Sequence, residues 1–113
     1  MLAQLNRLTS REDFQRVTKS KIRSHTKTLT GYLLPEAELT EPKIGFIVAG
    51  NVGGSVRRHR VARQLRHASR QSLHILPKSS LVVVRANKRD QNAEVEIPEL
   101  FNSLSKKVNA CSI

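Results

Sequence analysis

Residues 53–70 read GGSVRRHRVARQLRHASR, with six arginines and no carboxylate. At 100° per residue the run separates into two faces. Val61, Leu65, Ala68 and Ser72 form one stripe, continued by Leu76, while His59, Arg60, Arg63, Arg66, His67 and Arg70 fall opposite. Ser55 suits the N-cap and Pro77 cannot sit inside a helix, so the pattern predicts a helix over about 55–76. The narrow apolar stripe must pack on a partner. The other face is a cationic rail, and guanidinium suits phosphate better than ammonium does. An apolar run (43–49, KIGFIVA) and a glycine turn (50–54) precede this helix, and a second apolar run (81–85, LVVVR) follows it. Two buried strands joined through a helix should be parallel neighbours.

The rest of the chain fills in around that unit. Ser10 with Asp13 three residues on approximates a capping box, starting a short helix to about Lys19 on which Phe14 and Val17 share a face. Residues 21–27 read as a basic connector. Residues 28–34 read as a strand stopped by Pro35. The acidic, two-proline segment 35–42 reads as a hairpin connection, and 87–92 as a polar turn. A last helix spans 94 to about 108. Pro98 is expected in its first turn, Leu100, Leu104 and Val108 follow four apart, and Lys106 and Lys107 lie near its C-terminal end. The predicted class is α+β, a small mixed sheet with helices packed on it. The order is α-β-β-(β)-α-β-α, the bracket allowing one extra strand within 28–39. The 113 residues suit a single domain, with no repeat or linker.

Charge placement narrows the function. The net charge is +11, and residues 43–89 carry eleven Lys/Arg and no Asp/Glu. A one-sign segment of this length points to a polyanion. An anionic membrane surface competes, but the basic helix lacks the Trp, Phe or Leu wedge of an interfacial helix, which favours nucleic acid. A helix-turn-helix module fits poorly, because the basic helix lies between two strands. Residues 1–8 have no long apolar run, and nowhere does an apolar stretch approach the ~20 residues of a span. Cys111 has no partner in the chain. The expected location is cytoplasmic, with no membrane partner.

Catalytic groups are sparse. Residues 50–54 match neither GxGxxG nor a P-loop, and tight-turn glycines explain them. His59 and His67 sit among arginines, where a further proton or a metal is disfavoured. The carboxylates are too scattered for a two-metal nuclease. No catalytic residue, metal ligand or small-molecule substrate is expected on the protein. Phe46 and Phe101 read as core. For Phe14 and Tyr32, core packing and base stacking beside a basic groove stand equal.

Residues 52–66 (VGGSVRRHRVARQLR) resemble the signature of the bacterial ribonuclease P protein component, an arginine-rich run after a strand and a glycine turn. Asn6-Arg7-Leu8, Glu12-Asp13-Phe14, Tyr32, Lys43-Ile44-Gly45 and Val82-Val83-Val84-Arg85 agree in order. The resemblance implies the protein subunit of a ribonucleoprotein endonuclease, pairing with a catalytic RNA to remove the 5′ leader of precursor tRNA. Hydrolysis is then carried by the RNA and its Mg2+, with no cofactor on the protein alone. It also implies a left-handed strand-helix-strand crossover, against the usual right-handed one. The RNA-binding set is Arg57, Arg58, His59, Arg60, Arg63, Arg66, His67 and Arg70, of which Arg58, Arg60, Arg63 and Arg66 match basic signature positions. The leader-binding set is Phe14 and Tyr32 with Arg11, Arg16, Lys88 and Arg89. The chain departs from the family pattern at His59 (usually Asn), Ala62 (often Lys), Thr18 (commonly a second Phe) and Gly50-Asn51 (a lysine-containing turn). The alternative is a ribosomal or other structural RNA-binding protein with no part in cleavage.

Overall fold

The computed structural model describes residues 6–8, 10–88 and 92–111. These form helix α1 (Arg11–Thr18), strands β1 (Ile22–His25), β2 (Leu29–Pro35) and β3 (Lys43–Val48), helix α2 (Ser55–Ser72), strand β4 (Ser80–Ala86) and helix α3 (Ala93–Cys111). The sheet order is β1-β2-β4-β3. β1 pairs antiparallel with β2 and β2 with β4, while β3 and β4 are parallel, as two apolar strands joined through the arginine helix should be. The sheet is therefore mixed and the class α+β, as expected.

Strand alternation sends side chains to two cores. Leu29, Leu33, Ile44, Val82, Val84 and Ala86 meet Val61, Leu65 and Ala68 of α2 and Ile97, Leu100, Phe101 and Leu104 of α3. On the opposite face Leu81 and Val83 pack with Leu8 and Val17, joined by half-buried Phe14, Tyr32, Leu34 and Ile47. Two helices cover the first face. On the second, α1 packs over β2 and β4. Phe46 and Phe101 join the first core, as their core reading required.

Several local readings are corrected. The basic connector 21–27 contains β1. Its period of two is hidden because Ser24, not an apolar residue, faces inward, where its hydroxyl meets Ser103 Oγ at 2.6 Å. The extra strand thus precedes 28–39 rather than lying in it. Segment 35–42 is not a hairpin connection, because β4 intervenes between β2 and β3; the hairpin is β1–β2. Gly54, not Ser55, is the N-cap of α2, and the helix ends at Ser72 with a 3-10 turn (Leu73–Ile75) leading to buried Leu76. Ser10 does occupy the N-cap of α1, but its side chain makes no capping hydrogen bond.

Helix α3 begins earlier than expected, which puts Pro98 in its second turn. Glu96 explains the early start. Its carboxylate accepts from Asn92 N at 2.9 Å, Thr28 N at 2.8 Å and Thr26 Oγ1 at 2.8 Å. Thr28 Oγ1 lies 2.6 Å from its second oxygen. One side chain thereby ties the N-terminus of α3 to the β1–β2 turn. Burial alone would raise its pKa, but the hydrogen bonds from Thr28, Asn92 and Thr26 together outweigh it and hold the carboxyl below its ordinary range.

Candidate RNA interface

The arginine helix lies as its periodicity requires. Val61, Leu65, Ala68, Ser69 and Ser72 are buried, and Arg57, Arg58, His59, Arg60, Arg63, Arg66, His67 and Arg70 are all exposed. His59, Arg60, Arg63, Arg66, His67 and Arg70 form the outward stripe. Arg57 and Arg58 stand in the first turn, off that stripe, and the Arg57 stem lies along Gly53. A Cβ at Gly53 would come within 2.5 Å of Arg57 Cδ, and its φ of 152° also suits glycine. Among the described residues the ion pairs are Arg16–Asp13 and Arg16–Glu36, so the rail arginines have no carboxylate beside them. Eighteen residues give a helix about 27 Å long. Its uncompensated guanidinium groups favour an extended anion.

The second candidate surface is the α1 side of the sheet. The strand registers place Arg23, Tyr32, Val83 and Gly45 in one row across all four strands, and His25, Thr30, Arg85 and Ile47 in the next. Phe14 descends from α1 onto Gly45. A Cβ there would stand 2.2 Å from Phe14 Cζ, so the ring rests where only hydrogen leaves room. Phe14 and Tyr32 thus sit above the same row, two strand spacings or ~10 Å apart. Both are half-buried, packed beneath and open above. Beside Phe14 a groove of about 490 Å³ is lined by Arg11, Gln15 and Thr18 of α1 and by Phe46 and Ile47 of β3. The Arg23 guanidinium carbon lies 6.0 Å from the centre of the Tyr32 ring.

The expected leader set is only partly assembled. Phe14, Tyr32 and Arg11 share this face. Arg16 is held by Glu36 at 3.0 Å and Asp13 at 3.3 Å, so its charge is matched locally. Lys88 is exposed just beyond β4, and Arg89 lies outside the described residues. Arg23, His25 and Arg85 were missed. Arg85 shares its parity with Leu81 and Val83, against Val82, Val84 and Ala86, so the strand pattern already assigned it to the α1 side. Arg23 and His25 were hidden in the supposed connector. His25 Nδ1 lies 3.1 Å from Thr30 Oγ1, which accepts from Asn87 Nδ2 at 2.7 Å.

Among the described residues no three His, Cys, Asp or Glu side chains come together. Mg2+ prefers oxygen ligands, and these cationic surfaces do not supply a set that fits it. No described helix is long and apolar enough to cross a membrane.

The family model described as Ribonuclease P matches residues 2–110. A Ribonuclease P protein component of Streptomyces avermitilis is 38% identical over 94 residues, covering 76% of each chain. One from Thermobifida fusca is 33% identical over 117 residues, covering 97% of this chain and 78% of its own. The solved RNase P protein of Thermotoga maritima has the same fold, with a TM-score of 0.64, 20% identity and 93% of both chains covered.

Proposed function

The chain belongs to the ribonuclease P protein family, and on that premise we propose how its two surfaces divide the work of the ribonucleoprotein. It is the protein subunit of ribonuclease P, acts in tRNA processing, and works with the ribonuclease P RNA and precursor tRNA. The arginine rail of α2 grips phosphates of the catalytic RNA. The α1 side of the sheet takes the single-stranded 5′ leader, with bases against Phe14 and Tyr32 and phosphates near Arg11 and Arg85. Arg16 contributes by holding α1 against Glu36 and not by touching RNA. The whole chain acts as one RNA-binding unit in the cytoplasm. The RNA and its Mg2+ carry out hydrolysis; the protein supplies neither a nucleophile nor a general base.

The observation that carries this reading is the separation of an uncompensated guanidinium rail from an aromatic, partly open sheet face. Reconstitution tests it. RNA-free protein should cut nothing, and adding the catalytic RNA should restore 5′ trimming of precursor tRNA. Mg2+-dependent cutting by the protein alone, abolished by a point substitution in it, would overturn the assignment of chemistry to the RNA. Failure of the protein to bind or assist the catalytic RNA would favour a structural RNA-binding role.

A further inference from the structure

Edge strand β1 presents a second line of cations, separate from the arginine helix. Ile22 and Ser24 turn inward toward α3, so Arg23 and His25 turn to the opposite side, the face that carries Tyr32. Lys21 and Lys27 flank them, and all four are exposed. Among the described residues none of Lys21, Arg23 and Lys27 has a carboxylate ion pair. His25 is held in place. Its Nδ1 sits 3.1 Å from Thr30 Oγ1, which also accepts from Asn87 Nδ2, so the exposed ring is fixed beside the strand. At the strand's outer edge Lys107 Nζ donates to the Arg23 carbonyl, which places a further charged side chain there. A fixed imidazole among unopposed cations, with a lysine on the strand edge, suits a phosphate backbone rather than an added strand.

We propose that the β1 edge, through Lys21, Arg23, His25 and Lys27, binds the backbone of single-stranded RNA that has already crossed the Phe14–Tyr32 row, and so holds leader nucleotides farther from the cleavage point. The inference rests on the leader reading given above. Continuity argues for it. Phe14 over Gly45 and Arg23 on β1 end the same cross-strand row, three strand spacings or ~14 Å apart, with Tyr32 between them. Arg85 and His25 run alongside in the neighbouring row. One strand entering at Phe14 therefore meets Arg85 in mid-sheet and Arg23 at the sheet edge.

The test is a leader-length series of precursor tRNAs, with mature tRNA as reference, bound to the reconstituted ribonucleoprotein. The proteins are wild type, the triple variant Lys21→Ala/Arg23→Ala/Lys27→Ala, the charge reversal Lys21→Glu/Lys27→Glu, and Phe14→Ala. The triple variant should match wild type with mature tRNA and the shortest leaders. It should fall roughly tenfold behind as leaders lengthen, with a log-log salt slope shallower by ~0.7 per lost single-strand phosphate contact. The charge reversal should fall further at the same lengths. Phe14→Ala should already lose affinity at the shortest leaders. If both β1 variants track wild type at every length while Phe14→Ala loses leader affinity, the edge track is wrong and the aromatic cleft stands. Loss of mature tRNA or catalytic RNA binding in the β1 variants would assign the strip to the catalytic RNA and overturn the proposal. Loss of long-leader affinity in the β1 variants, with Phe14→Ala unchanged, would support the edge track and sink the aromatic cleft.

Discussion

Gly45 sets where Phe14 lies, and so the shape of the groove beneath α1. An added Cβ overlaps the ring at 2.2 Å and 2.5 Å, and the ring's way out is toward solvent. Gly45→Ala should therefore cost about 1–3 kcal/mol by urea unfolding and reduce preference for precursor over mature tRNA as much as Phe14→Ala does. An unchanged preference would mean that Phe14 does not read the leader from this position. On α2 the two faces should respond in opposite ways. Arg60→Ala and Arg63→Ala, both exposed, should leave the melting temperature in place and flatten the salt dependence of catalytic RNA binding by roughly 0.7–0.9 per lost contact. Leu65→Ala, at 0% exposure, should cost about 2–5 kcal/mol of stability. This division was legible in the sequence because a single helix carries both stripes. The seat of Phe14 on Gly45 was not, since no local pattern links a helix residue to a glycine 31 positions later.

At the level of elements, α3 and the β1–β2 hairpin are joined through Glu96. Its folded pKa lies below the unfolded value, so its contribution to stability is complete above the unfolded carboxyl pKa near 4.3 and disappears as pH falls through the lower folded value. Glu96→Gln keeps the size but turns an amide NH2 toward groups that donate. It should cost about 1–3 kcal/mol at neutral pH and flatten the acid limb of the stability–pH curve. A variant with an unaltered acid limb would show that Glu96 is not a source of that slope. These long-range ties also explain which elements the sequence displayed. β3, α2 and β4 announced themselves through unbroken apolar runs and a helical stripe. β1 did not, because its inward residues are Ile22 and a serine satisfied by Ser103, 79 positions away. The same gap concealed the hairpin and Arg23 and His25 of the open face, whereas Arg85 was visible from strand parity.

For the whole molecule, like charge is gathered on the surfaces proposed to meet RNA. A chain of net charge +11 whose rail has no ion pair among the described residues repels itself when compact. Sulfate or phosphate that binds the folded form should raise the melting temperature, by RT ln(1 + [L]/Kd) in free energy; melting curves unmoved by millimolar sulfate would contradict this. The central claim is that two surfaces do separate jobs, the rail holding the catalytic RNA and the α1 side of the sheet reading the leader. The most direct measurement is the ratio of precursor to mature tRNA affinity, taken with the affinity of the protein for catalytic RNA in the same salt. Phe14→Ala and Tyr32→Ala should lower the ratio roughly five- to a hundredfold, from ~1–3 kcal/mol per stacked base, and leave catalytic RNA affinity unchanged. Arg63→Ala should do the reverse. If both kinds of substitution lower both quantities together in folded protein, the surfaces do not divide the work and the account is wrong.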